Sequence, residues 1–164
     1  MDPDAKPLTH LDSEGRPRMV DVSGKQETAR QAVAEGSIRM APETLQAIQE
    51  GSSPKGDVLQ VAMLAGIQAG KRTGELIPLC HVLPGVSLEV RLYPDSSLPG
   101  IRVLATAKHR GQTGVEMEAL TAVTVALLAV YDMAKSMDRG MVVQEVRLVS
   151  KEGGRSGAWR RTEE

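Results

Sequence analysis

The chain of 164 residues contains no Phe, no Asn, a single Cys and only three aromatic side chains, Tyr93, Tyr131 and Trp159. Each scarcity excludes something. Single-stranded nucleic-acid platforms need several exposed rings for bases to stack on, and three rings cannot supply one. The lone Cys80 forms no intrachain disulfide and cannot alone build a cysteine-based zinc site, which fits a reducing compartment. An excess of charge of one sign is also lacking. Twenty Lys and Arg face 21 Asp and Glu, a formal net charge of −1, so no global field draws the molecule to nucleic acid or an anionic membrane. The longest apolar block, 122–130, is broken by Thr124 and is too short to span a bilayer. Residues 1–6 lack the basic and apolar regions of a secretion signal, so the expected location is the cytoplasm.

What is present is a chain that is 41% hydrophobic and sized for one domain, burying roughly 70% of its unfolded surface. With so few rings, the core must be aliphatic, with eight Met as adaptable fillers. Residues 1–18 carry three Pro and no periodicity and read as an extended or mobile arm, leaving 19–164 as one domain. Residues 19–22 are strand-like, and alternation around Arg39 predicts a strand over 28–40. Pro42, Leu45, Ile48 and Gly51 outline a short helix. Asp57 caps a second one, which ends on the basic pair Lys71 and Arg72. Val86, Leu88, Val90 and Leu92 alternate with polar residues, 93–97 supply a turn, and 101–107 return. The clearest helix spans 114–137, with Leu120, Val123, Leu127, Val130 and Ala134 at steps of three and four. Ala122, Val125, Leu128 and Ala129 give it a second apolar face, as a subunit contact would require. A last strand covers 141–149. The order β-α-α-β-β-α-β predicts an α+β fold, a ferredoxin-like antiparallel sheet with helices packed on one face.

Several polar residues interrupt this pattern. Leu79, Cys80 and His81 lie between a helix end and a strand start, where functional loops sit. His81 there is either a structural hydrogen-bonder or a proton carrier and phosphate donor. Residues 69–74 superficially resemble a phosphate loop but fail on spacing, on Arg72 at the hydroxyl position, and in ending a helix where such a loop starts one. Glu116 and Glu118 complement the dipole at the start of the long helix, whose backbone N–H groups could also hold an anion. Asp132 and Lys135, three apart, form either an exposed helix pair or the lining of a cleft. Lys55 and Lys151 sit in glycine-rich runs that either solubilise a surface or wrap an anion.

Five blocks occur in one order: Met19-Val20-Asp21-Val22-Ser23 followed by Lys25, Pro54-Lys55-Gly56-Asp57-Val58, Leu79-Cys80-His81, 113–121, and Tyr131-Asp132-Met133-Ala134-Lys135. From about Leu8 to Arg160 the chain resembles the MoaC family, the cyclic pyranopterin monophosphate synthases of molybdenum cofactor biosynthesis. The resemblance implies a lyase acting on 3′,8-cyclo-7,8-dihydroguanosine 5′-triphosphate, the product of an upstream radical enzyme, and releasing diphosphate. It implies Asp132, Lys55 and Lys135 as catalytic residues. Leu79, Cys80, His81, Glu116, Met117, Glu118 and Lys151 would contact substrate, with Lys25 and Arg30 in the family's basic N-terminal block. It implies a homo-oligomer, a hexamer built as a trimer of dimers with sites at subunit interfaces; no cofactor is expected, and no spaced Cys or His partners surround Cys80 and His81 to make a metal ligand set. Val82 departs from the pattern, where Pro is expected. A non-catalytic nucleotide-binding regulator on the same scaffold is the competing expectation, and it would need the cations but not Asp132 and Lys135 together.

Overall fold

A computed structural model describes residues 14–22 and 24–162. Most of the expected arm, 1–13, therefore lies outside the described residues. The elements in chain order are β1 (Thr28–Arg39), α1 (Pro42–Gln49), α2 (Val58–Lys71), α3 (Thr73–Leu76), β2 (Ser87–Asp95), β3 (Gly100–Gly111), α4 (Glu116–Ala134), β4 (Val142–Glu152) and β5 (Trp159–Arg160). The strands form one antiparallel sheet in the order β2-β3-β1-β4-β5, with the helices packed on it, as the sequence order predicts.

The core is aliphatic. Ile38, Ile101, Val103, Val123, Leu127 and Val130 are sealed between sheet and helix. Alternation along β1 and β3 turns Ala32, Ala34, Ile101, Val103, Ala105 and Ala107 toward α4, and these small residues let the helix lie close to the sheet. α4 also packs along α2, and two glycines set that approach: a Cβ at Gly66 would lie 2.8 Å from the Ala122 carbonyl oxygen, and one at Gly70 would lie 3.0 Å from the Glu118 carbonyl oxygen. Asp57 caps α2 as expected, its carboxylate accepting from the Gln60 N–H at 3.0 Å. The C-terminal end of α2 carries Lys71 and is followed by Thr73, whose hydroxyl donates to the Gly70 carbonyl.

Four expectations need correction. Residues 19–22 form no strand, because they cross a cavity mouth as irregular chain. The segment after α2 forms the short helix α3, whose single turn gives too little periodicity to read. The turn of the β2-β3 hairpin falls later than 93–97: β2 runs through Pro94 to Asp95, which Pro allows at a sheet edge. The Asp95 carboxylate then accepts from the Ser97 N–H and hydroxyl and from Arg102, and these hydrogen bonds hold it well below the usual carboxylate range. The last strand extends to Glu152, so Lys151 is fixed in β4 opposite Ala32 before its glycine loop begins. β5 adds two residues beyond it.

The second apolar face of α4 is only partly covered within one chain. Ala122 is buried and Val125 half-buried, but Leu128 is 53% exposed. On α2, Val61 and Leu64 are also exposed. α4 is long and apolar enough to cross a membrane by length and composition, but it is the central helix of the core, with half of its apolar stretch buried inside the fold.

Candidate active site

The twelve residues singled out above fall into two groups at opposite ends of α4. Nine gather at its N-terminal end around two adjoining cavities of about 730 and 580 Å3. The larger is cationic. Lys25, Arg30 and Lys151 line it, together with Arg155 and the backbone of the Gly153-Gly154 loop. The smaller is walled by Val20, Val22, Ile77, Leu79, Leu83 and Met117, with Cys80, His81 and Glu118 supplying its polar groups. Lys25, Thr113, Gly114 and Glu116 belong to both linings.

Local backbone chemistry builds each wall. Arg30 Nε lies 3.4 Å from the Gly111 carbonyl and Nη2 lies 3.3 Å from that of Gln112, so the guanidinium ties β1 to the loop before α4. Gly153 and Gly154 both have positive φ, and a side chain at Gly153 would collide with the Ala29 carbonyl; only glycine lets β4 turn back over the start of β1. Lys151 Nζ is held by the Ser156 hydroxyl. Across the smaller cavity, Cys80 N–H donates to the Ile77 carbonyl at 3.2 Å, closing a turn in which Leu79 adopts φ 62°. Left-handed backbone at a leucine costs about 1–2 kcal/mol, and strain of this kind concentrates where a site needs a fixed shape.

Glu118, in the first turn of α4, is 2% exposed, and among the described residues its Oε2 has no hydrogen-bond partner. Burial pushes its carboxyl up; a hydrogen bond to its own backbone offsets part of this and the Glu116 charge adds to it. The Cys80 thiol is also pushed up, by burial and then by Glu118, so it stays protonated and unreactive at neutral pH. For Glu118 the folded state binds the proton more tightly than the unfolded chain, so its contribution to stability is full below the ordinary value of 4.5 and falls as pH rises through the raised folded value. Glu118→Gln is therefore expected to melt a few degrees above wild type at pH 7–8, with the gap closing as pH falls toward 4.5. Thermal melts across that range check it; a gap that does not change with pH contradicts the assignment.

The other three residues meet at the C-terminal end of α4. Lys55 Nζ donates to the Asp132 carbonyl oxygen at 2.9 Å and to Oδ2 at 3.0 Å, and Lys135 Nζ donates to Oδ1 at 2.6 Å. Lys55 is presented by a turn closed by Gly56 N–H to the Ser53 carbonyl, with Pro54 at the corner and Gly56 at φ 91°. Hydrogen bonds from Lys135 and then Lys55 hold the Asp132 carboxyl below the usual carboxylate range. The trio is open to solvent, with the Asp132 side chain 57% exposed. Sixteen residues separate Glu116 from Asp132, about 24 Å along the helix at 1.5 Å per residue. Within one chain the two groups are therefore not one site.

Arg155, Ser156 and the residues at the cavity mouth, Val20 and Val22, belong to blocks that stand out in the sequence but carry no assignment from it. The only available signal is the concentration of glycine and cations in 150–157. Among the described residues no group of three His, Cys, Asp or Glu side chains is arranged to hold a metal ion.

Residues 19–154 match the model of the MoaC family. The chain belongs to the MoaC family. The matched stretch contains all twelve residues and both ends of α4. Relatives from Trichodesmium erythraeum (strain IMS101), Brucella ovis (strain ATCC 25840 / 63/290 / NCTC 10512) and Dinoroseobacter shibae (strain DSM 16493 / NCIMB 14021 / DFL 12) are each named cyclic pyranopterin monophosphate synthase. The first is 58% identical over 150 residues, covering 92% of this chain and 90% of the relative. The Brucella protein is 57% identical over 152 residues, 93% of this chain and 92% of its own length. The Dinoroseobacter protein is 57% identical over 150 residues, with coverage of 92% and 95%. These MoaC relatives align over nearly their whole length.

Proposed function

We infer that this chain is a cyclic pyranopterin monophosphate synthase, a lyase that converts 3′,8-cyclo-7,8-dihydroguanosine 5′-triphosphate to cyclic pyranopterin monophosphate and diphosphate in molybdenum cofactor biosynthesis. The observation that carries this reading is the pairing of a cationic cavity with an apolar one around a shared Lys25. A triphosphate carries about four negative charges, and Lys25, Arg30, Lys151 and Arg155 offset them locally while the whole chain stays near neutral. The ring system enters the apolar cavity. Its walls have no Phe, Tyr or Trp, so Leu79 and Met117 pack against the heterocycle, and the free Oε2 of Glu118 accepts an N–H from its guanine-derived edge.

The chemistry needs proton transfers at the ring and closure of a cyclic phosphate. A group that moves protons must come within hydrogen-bond reach of the reacting atom, and Asp132 is about 24 Å along α4 from Glu116, which lines both of its own chain's cavities. Asp132, Lys55 and Lys135 therefore act on substrate held by another copy. Asp132 serves as the base in its carboxylate form and the flanking ammonium groups serve as proton donors. An oxygen of the substrate itself attacks the α-phosphorus, the bond to the bridging oxygen breaks, and diphosphate leaves while Lys25, Arg30 and Lys151 stabilise its charge. No protein nucleophile is consumed, in keeping with a protonated Cys80.

A site completed by a second copy requires an oligomer, and the form the family resemblance implies is a hexamer arranged as a trimer of dimers. Leu128 stands one helical turn before Asp132 on the same face, so the exposed apolar surface of α4 is continuous with the catalytic trio. Leu128→Glu is expected to shift the assembly to smaller species in sedimentation velocity and to remove activity with it. The location is the cytoplasm, where a reduced Cys80 and a nucleotide-derived substrate are both at home.

Incubation with the cyclised triphosphate tests the activity directly: one diphosphate per substrate consumed is expected. Tight binding of that compound without diphosphate release would instead favour the non-catalytic nucleotide-binding module.

A further inference from the structure

Three of the four Lys and Arg side chains that line the larger cavity meet at one hairpin. Lys151 lies at the end of β4, Arg155 sits in the loop that follows, and Arg30 lies against that loop, where a Cβ on Gly154 would strike its guanidinium. Gly153, Gly154 and Gly157 all have positive φ and let the chain turn back, with Gly157 N–H donating to the Gly154 carbonyl at 3.1 Å. The return leg is β5, which pairs Trp159 with Lys151 and Arg160 with Ser150. Two residues of strand are too few to hold a sheet edge by themselves. The next residue supplies what the ladder lacks. Arg161 N–H donates to the Val149 carbonyl at 2.8 Å, its Nε donates to the Leu148 carbonyl at 2.9 Å, and its guanidinium carbon lies 5.7 Å from the centre of the Trp159 ring. Residues two apart in extended chain share a face, which brings the guanidinium over the ring.

We propose that Trp159 and Arg161 are positioning residues that clasp the C-terminal end of the chain to β4 and thereby hold the 152–158 hairpin, with Lys151, Arg155 and the wall against Arg30, in the shape that receives phosphate. Neither side chain is part of the cavity lining, so both act through the loop. The clasp is a property of the protein alone. Its consequence for substrate rests on the reading that the triphosphate occupies the larger cavity.

Residues 155–161 are exposed and none of them belongs to the core, so the hairpin opens without the rest of the fold and the loss of one contact shifts that opening measurably. Limited trypsin digestion of the ligand-free protein reads the opening at the bond after Arg155. Trp159→Ala removes the ring and is expected to speed cleavage at least about two-fold. Arg161→Met also removes the Nε hydrogen bond and is expected to speed it about five-fold or more. Trp159→Phe keeps a ring face for the guanidinium and should stay close to the wild-type rate. All three variants should melt with wild type, which separates a local opening from general unfolding. Equal cleavage of wild type and Arg161→Met, or cleavage of Trp159→Phe as fast as Trp159→Ala, overturns the clasp.

The route through the loop is tested with the double variant Trp159→Ala/Arg161→Met. In turnover of the cyclised triphosphate its kcat/KM is expected to fall about three-fold or more, in proportion to the fraction of hairpins left closed. In a background already carrying Lys151→Ala and Arg155→Ala the same pair should cost little further, because the cations it positions are gone. An equal cost in both backgrounds, or no cost in the first, would overturn the positioning role. Inorganic diphosphate needs only the cations and gives a readout independent of turnover: its Kd in calorimetry should rise in the double variant, and an unchanged Kd would overturn the role as well. If the chain does not turn the cyclised triphosphate over, the activity assigned above fails, while digestion and the diphosphate titration still decide whether the clasp shapes the cavity.

Discussion

Asp132→Asn is expected to lower kcat by 10²–10⁴-fold, the usual range for loss of a positioned acid or base, with little change in KM or melting temperature. The small effect on stability follows from exposure: the side chain is 57% accessible and both of its lysine partners are open to solvent, so the ion pairs add little to the fold. The large effect on rate follows from geometry. Lys55 and Lys135 grip different oxygens of one carboxylate, which fixes its orientation and holds it ionised below the usual carboxylate range. Wild-type activity should accordingly persist into mildly acidic solution and fall only as Asp132 takes up its proton. Lys135→Met removes the larger of the two stabilising hydrogen bonds, so the acid limb of the kcat profile should move up in pH toward that of an ordinary carboxylate. An acid limb that stays in place would exclude Asp132 as the titrating base.

Much of the fold was legible because hydrophobic period and secondary structure agree. β1, the β2-β3 hairpin and α4 each show their period over eight or more residues, and Asp57 is a capping residue in the position a cap requires. Elements of one turn or two residues, α3 and β5, have no period to read. Pro94 misleads in a different way. It normally signals a turn, but at the sheet edge its missing N–H faces no partner strand, so β2 continues through it. The course of residues 19–22 is invisible to pattern because the alternation of Met19, Val20, Asp21 and Val22 fits a strand as well as it fits irregular chain with two valines against a cavity.

The candidate site shows the same division. The residue types were readable from motif order, and nine of them do line adjoining cavities. The separation of Glu116 from Asp132 was also written in the sequence, since sixteen residues of helix fix a distance of about 24 Å whatever the rest of the fold does. What could not be read were the features made by backbone meeting across long separations: Arg30 on the Gly111 and Gln112 carbonyls, Gly153 against the Ala29 carbonyl, and His81 on Val20. The near-zero net charge likewise conceals a local concentration of cations, because acids elsewhere in the chain balance it.

The division of labour between chains is tested most directly by mixing two variants, each disabled at one end of α4. Lys55→Ala leaves the cavities intact, and Lys151→Ala leaves the Asp132 trio intact. Each alone should lose at least about ten-fold in kcat/KM, since each removes a charged contact to substrate or to the catalytic base. After subunit exchange at equal concentrations, random pairing puts an intact trio against an intact cavity in about one quarter of the sites, so activity should recover to about a quarter of wild type. A mixture no more active than the mean of its two parents would place Lys55 and Lys151 in the site of one and the same chain and contradict a catalytic centre shared between copies.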